Sequence, residues 1–244
     1  MIPPMHSALS ATVLALTLGL GPGPLPGQPS DAGTPADAGT PASATRRPVD
    51  ASRLAEARAL VPPPLLYGNF HPEVGTFVEY DVTTPRARLR VRTAVVGRTE
   101  RQDGPLFQVE FDYLDTKPRS LVVLWLIGES RPTVDRLALA VQPNAPISIP
   151  VDLPADAPEL RGRPGPEKEV QVKAGPFAGK AVRRTFQLES GASAEVVLSD
   201  KVPLFGVETV RGADGTTWVA RKTGTGARPE LGSVPITIPR LPGQ

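Results

Sequence analysis

The chain of 244 residues contains no cysteine. That absence excludes a disulfide framework, thiolate metal sites, a cysteine nucleophile and a lipid-modified amino-terminal cysteine. Histidine is almost as scarce, with two in all. His6 lies in an apolar leader, so any Ser-His-Asp triad would have to form around His71, and a zinc site with several imidazoles is ruled out. His71 precedes Pro72 in a loop and reads as a surface residue. Phe, Trp and Tyr make up only 5% of the chain, and the formal net charge is +2. Neither a base-stacking platform nor a polyanion-binding surface follows from such a composition, and no nucleic-acid partner is expected. P-loop, G-x-G-x-x-G and G-x-S-x-G patterns are all lacking, so no cofactor is expected. No apolar run is long enough to span a bilayer.

Proline and glycine are abundant, at 30 and 23 residues. They concentrate in residues 21–50, 142–166 and 224–244. The apolar run Ala8–Leu20 has the length of a signal-peptide core. Residues 1–20 are therefore read as a signal peptide, although the leader carries no Lys or Arg. A buried amino-terminal helix or a misplaced start codon would account for the same run. Residues 21–49 are Gly, Pro, Ala, Thr, Ser and Asp, with a near-repeat across Asp31–Pro41. They offer almost nothing to bury and read as a disordered linker. The expected destination is the periplasm or cell envelope.

Residues 50–224 read as one mainly β domain. A short helix is expected over Asp50–Leu60, capped by Asp50 or Ser52 and ended by Pro62-Pro63-Pro64. Period-two alternation then predicts strands over Gly75–Val82, Arg88–Val96, Leu106–Tyr113, Val134–Val141, Glu169–Lys173, Ala181–Leu188, Ala194–Ser199, Val207–Arg211 and Thr216–Lys222. Asp103-Gly104, Ser190-Gly191 and Asp214-Gly215 supply turn residues between them. Arg184 breaks the alternation and needs a rim position or a buried partner. Arg88, Arg90 and Arg92 face outward on one strand; Gln108, Glu110 and Asp112 do so on the next. Pairing of those strands would set arginines against carboxylates. Leu121–Ile127 has no polar face and must be covered on both sides by the helix, a fold-over of the sheet or a ligand. Residues 142–168 are too rich in proline for regular structure and read as a long loop, a lid or an insertion. Residues 225–244 read as an extended or disordered tail. The predicted architecture is a single curved antiparallel sheet, a half-barrel or open barrel with one helix against it.

Little in the strands resembles an active site. Glu79 with Asp81, and Glu110 with Asp112, share a strand face and have the geometry to bind a hard cation or divide acid and base roles, but solvated sheet faces give the same pattern. Ser199-Asp200-Lys201 reads as a turn, since neighbouring strand residues point to opposite faces. Apolar side chains are the more coherent set. Val78, Tyr80, Val109, Phe111, Trp125, Val182, Phe186 and Trp218, with Leu139, would form either the core or an apolar trough on the concave side of the sheet.

Ala174–Lys180 (Ala-Gly-Pro-Phe-Ala-Gly-Lys), Val196–Val207 (Val-Val-Leu-Ser-Asp-Lys-Val-Pro-Leu-Phe-Gly-Val) and Gly215–Trp218 resemble a carboxy-terminal pattern of uncharacterised exported proteins from myxobacteria-like Gram-negative bacteria. The exported, cysteine-free, antiparallel layout with one helix is also similar to the LolA/LppX-type half-barrels. That resemblance implies a concave apolar cavity that takes acyl chains or lipoprotein tails. The chain departs from it in lacking obvious lid helices. The expected function is non-enzymatic binding of an apolar or lipid-like ligand, or of a lipidated envelope partner. The alternative is a structural or interaction module with a solid core.

Overall fold

The computed structural model describes residues 60–155 and 157–237. In chain order the elements are α1 (Pro63–Tyr67), β1 (Phe77–Thr83), β2 (Arg88–Thr99), β3 (Leu106–Tyr113), β4 (Ser120–Ile127), β5 (Thr133–Val141), β6 (Ile147–Pro154), α2 (Pro158–Arg161), β7 (Arg163–Pro164), β8 (Lys168–Val172), β9 (Gly179–Gln187), β10 (Ser193–Leu198), β11 (Val207–Gly212), β12 (Thr217–Gly224) and β13 (Ile236–Thr237).

Alternation of apolar and polar residues builds two antiparallel meanders, β1 to β6 and β9 to β12. They join where β12 pairs with β1, placing Tyr80 opposite Ala220 and Val82 opposite Trp218. Strands β7 and β8 edge the second meander along β9, and β13 lies parallel to β6 at the other extreme. The result is one open sheet of 13 strands. Tight hairpins link the strands; at Asp214-Gly215 the glycine takes φ of +80°, a conformation that side chains disfavour.

One core spans both meanders. Val78, Tyr80 and Val82 of β1, Phe107, Val109 and Phe111 of β3, and Phe186, Val196, Val210 and Trp218 of the second meander belong to a single cluster. The turn after β10 carries Phe205 back over the first meander. Its ring stacks on Phe70 at 5.4 Å and on Phe111 at 6.1 Å. Tyr80 meets Trp218 edge-on at 5.8 Å, and its buried phenol donates to the Val207 carbonyl at 3.2 Å.

Several expectations are corrected. The helix expected over Asp50–Leu60 lies outside the described residues except for Leu60, which packs on the core. Leu60 is helical and a break follows at Val61-Pro62; beyond that break Pro63 and Pro64 open α1, because proline costs nothing in a first turn whose amides are unpaired anyway. The expected loop over 142–168 contains β6, α2 and β7. Prolines are tolerated in β6 because its outer edge meets only the two residues of β13, so few ladder donors are needed there.

The cover on β4 also differs. Val122, Leu124 and Leu126 enter the main core, whereas Leu121, Val123 and Trp125 form a second cluster with Ala138 on the opposite face. The described part of the tail lies over that second face, with Leu231 packed against the cluster. Its described residues, up to Thr237, are held in place by hydrogen bonds to the sheet.

Candidate functional site

The residues read as a trough do not come together as an open one. Val78, Tyr80, Val109, Phe111, Phe186 and Trp218 are packed in the main core, none of them more than 4% exposed. Trp125 lies on the opposite face of the sheet. Val182 is half-buried in a groove of about 500 Å³ whose other lining residues include Glu167, Glu169, Lys180, Leu198 and Asp200. Leu139 is partly exposed near the β6 edge. The sheet bends far enough for Phe205 and α1 to fill its concave side, so the aromatic side chains find one another there.

The polar candidates are spoken for. Lys222 pairs with Glu79 at 3.1 Å and Arg221 with Asp81 at 3.2 Å. Among the described residues no three acidic or histidine side chains cluster to hold a metal. Ser199 forms a turn, its hydroxyl accepting from the Lys201 amide at 3.3 Å, while Lys201 Nζ donates to the Ala178 carbonyl. His71 is exposed, and its backbone amide donates to Leu204 O at 2.6 Å. Arg184 has a partner in Glu167. Arg92 does face Asp112 across the β2–β3 ladder. However, the close pairs are Arg90–Asp115 at 2.8 Å and Arg119–Asp112 at 2.6 Å, and the Arg92 guanidinium lies over the Phe77 ring at 4.1 Å. Arg90 holds the Asp115 carboxyl below its ordinary range, and Asp112 raises the Arg119 guanidinium further.

The outer face of β3 to β6 has the more developed geometry. Strand register sets three rows across it: Gln108, Trp125 and Arg136; Glu110, Val123, Ala138 and Ser148; Asp112, Leu121 and Ala140. Residues 227–237 run over these rows as a strap. The Ala227 amide donates to Gly75 O at 2.9 Å. Glu110, only 2% exposed, accepts from the amides of Glu230 at 2.8 Å and Leu231 at 3.3 Å. The Gln108 side chain donates to Glu110 at 2.9 Å. Arg119 spans Asp112 and Glu230, at 2.6 and 3.1 Å. The Ile236 amide then donates to Pro146 O at 2.8 Å, starting β13.

A cleft of about 500 Å³ remains between strap and sheet, lined by Gln108, Trp125, Arg136, Ser148, Leu231 and Val234 among others. The Arg136 guanidinium lies over the Trp125 ring at 4.3 Å from its centroid. Ser148 is 2% exposed, yet its hydroxyl has no hydrogen-bond partner among the described residues. Of these, only Trp125 was singled out from sequence. The signal for the rest was indirect: an all-apolar β4 demanded a cover, and Leu231 is the tail residue that packs on it.

Fold and cleft together define a class: an open, single-sheet antiparallel β protein whose outer face is crossed by its own carboxy-terminal strap. No family model matches the chain, and neither does any curated protein. Among solved structures, that of PNGF-II is similar over 66% of this chain and 30% of its own, with 9% identity and a TM-score of 0.32. The likeness is too distant to carry an argument about fold or activity.

Proposed function

We propose that the protein is a non-enzymatic binding module of the cell envelope, which takes an apolar or lipid-like ligand, or a partner's apolar segment, in the cleft beneath its strap. The observation that carries this reading is the cleft itself. It has an aromatic wall at Trp125, an aliphatic side chain at Leu231, and a buried Ser148 hydroxyl with no hydrogen-bond partner among the described residues. Small-molecule sites commonly combine apolar walls with a few polar groups in this way. Export is supported by the apolar run Ala8–Leu20. Among the described residues no helix is long and apolar enough to cross a membrane.

Titration of the full chain with a fluorescent apolar probe tests the cleft, together with native mass spectrometry of protein purified from envelopes. Leu231→Ala is expected to weaken probe binding by about tenfold, the effect of losing roughly 1.4 kcal/mol of apolar contact. No probe uptake and no co-purifying mass would sink the reading.

A second reading, an interaction module without a small ligand, is favoured by the filled core and by the partly exposed Leu139, Ile147, Ile149 and Ile236 near the β6 edge. It is expected to give a co-purifying protein and an empty cleft in the same experiment.

A further inference from the structure

We infer that the strap cleft is built for an apolar molecule ending in a carboxylate. This inference rests on the cleft being the binding site, as proposed above. Its polar end is made by Arg136 and Ser148. Arg136 neighbours Trp125 across the β4–β5 ladder, and its guanidinium lies 4.3 Å from the indole centroid. Stacking restrains the planar fork without consuming its N–H donors. Among the described residues the carboxylate paired with it is Asp135, at 4.0 Å from Arg136 Nε, and Asp135 also lies 3.6 Å from Arg101. Four ångströms is too long for a charge-assisted hydrogen bond, so the Arg136 donors remain available.

Ser148 stands opposite Ala138, while Arg136 stands opposite Pro150. Ser148 is therefore one diagonal step from Arg136 on the same face, within reach of one shared group. A buried hydroxyl without a partner is an exception that calls for one. A carboxylate accepts from the guanidinium fork and the hydroxyl together. A neutral alcohol can use the hydroxyl but gains no charge-assisted bond from the guanidinium fork, and an ammonium is repelled by it. Beyond this polar end, the partly buried Leu231 and Pro235 provide the surface for an aliphatic body. A fatty acid and the carboxy-terminal residue of an apolar peptide present the same chemistry.

Isothermal titration of the full chain separates these possibilities, with sodium decanoate and 1-decanol kept below their aggregation limits. A Leu-rich tripeptide with a free or an amidated carboxyl terminus provides the peptide arm. Decanoate is expected to bind about tenfold tighter than decanol, a typical charge-assisted increment. Arg136→Gln should abolish that preference and leave decanol unchanged; Arg136→Lys, which keeps charge without the fork, should restore part of it. Ser148→Ala should weaken decanoate several-fold, with circular dichroism verifying that each variant is folded. A free-carboxylate peptide that binds more tightly than decanoate, and loses affinity on amidation, would make a polypeptide end the source. Equal affinity for decanoate and decanol, or an Arg136→Gln variant that still prefers decanoate, overturns the carboxylate assignment and leaves the cleft standing. No binding by any of the probes removes the cleft reading as well.

Discussion

Glu208 shows how much one side chain can reveal. Between the pairs Val197–Thr209 and Leu198–Val207 the β10–β11 register slips, and Glu208 is the extra residue. A bulge leaves its extra residue outside the ladder and re-aims its side chain. Here the carboxylate is largely buried, and its Oε2 has no hydrogen-bond partner among the described residues. Burial raises its pKa above the ordinary glutamate value. The folded state therefore holds this proton more tightly than the unfolded chain does. Ionising Glu208 costs stability, a cost that is absent well below the ordinary glutamate pKa and fully present above the raised one. Glu208→Gln is expected to raise stability by about 1 kcal/mol at pH 8, or about 2–4 °C in Tm. The gain should shrink toward zero at pH 3–4, as protonation removes the charge from the parent protein too. Melting curves of the two proteins that run parallel across this range would refute it.

Among elements, the strap is the one that sequence patterning could not reveal. Strands β1 to β5 and β8 to β12 announce themselves because each alternates, or in β4 forms an unbroken apolar run. Tyr80, Phe111, Phe186 and Trp218 were legible as apolar-face residues for the same reason. Residues 227–237 have no period, and their attachment depends on Glu110 and Asp112, which in sequence look like ordinary outward-facing strand residues. Only the folded chain shows these carboxylates buried, and only the ladder register places Ser148 near Arg136. The β6 strand was hidden differently, by prolines that an edge position permits. If Glu110 is the latch, Glu110→Ala should strand the Glu230 and Leu231 amides and cost roughly 2–3 kcal/mol, a range typical of hydrogen bonds to a charged group. Hydrogen exchange provides the check: the amides of Glu230 and Leu231 should lose protection while those of Val78, Tyr80 and Val82 keep theirs. Uniform loss across all five would mean that Glu110 supports the whole sheet rather than the strap.

At the scale of the molecule, the open sheet could behave as two meanders that happen to touch, or as one cooperative body. The ladder between β1 and β12 is their covalently unconstrained seam, since the long connection from β6 to β9 leaves the strands free to pair elsewhere. Three features cross the divide: the Tyr80–Trp218 contact, the phenol of Tyr80 on Val207 O, and Phe205 stacked on Phe70 and Phe111. Burial pushes the Tyr80 hydroxyl well above its ordinary pKa, so it stays a neutral donor and the tie persists into alkaline solution. With the aromatic core shared in this way, neither meander can expose its inner face without stripping the other. Trp218→Ala is therefore expected to cost about 3–5 kcal/mol, as large-to-small core changes do, and to do so in a single transition. Urea unfolding followed by far-ultraviolet circular dichroism and by Trp125 fluorescence should give coincident curves, both shifted to lower denaturant. Two separated transitions, with the β4 signal left at its original midpoint, would show that the first meander holds its own core and that the seam merely docks the second.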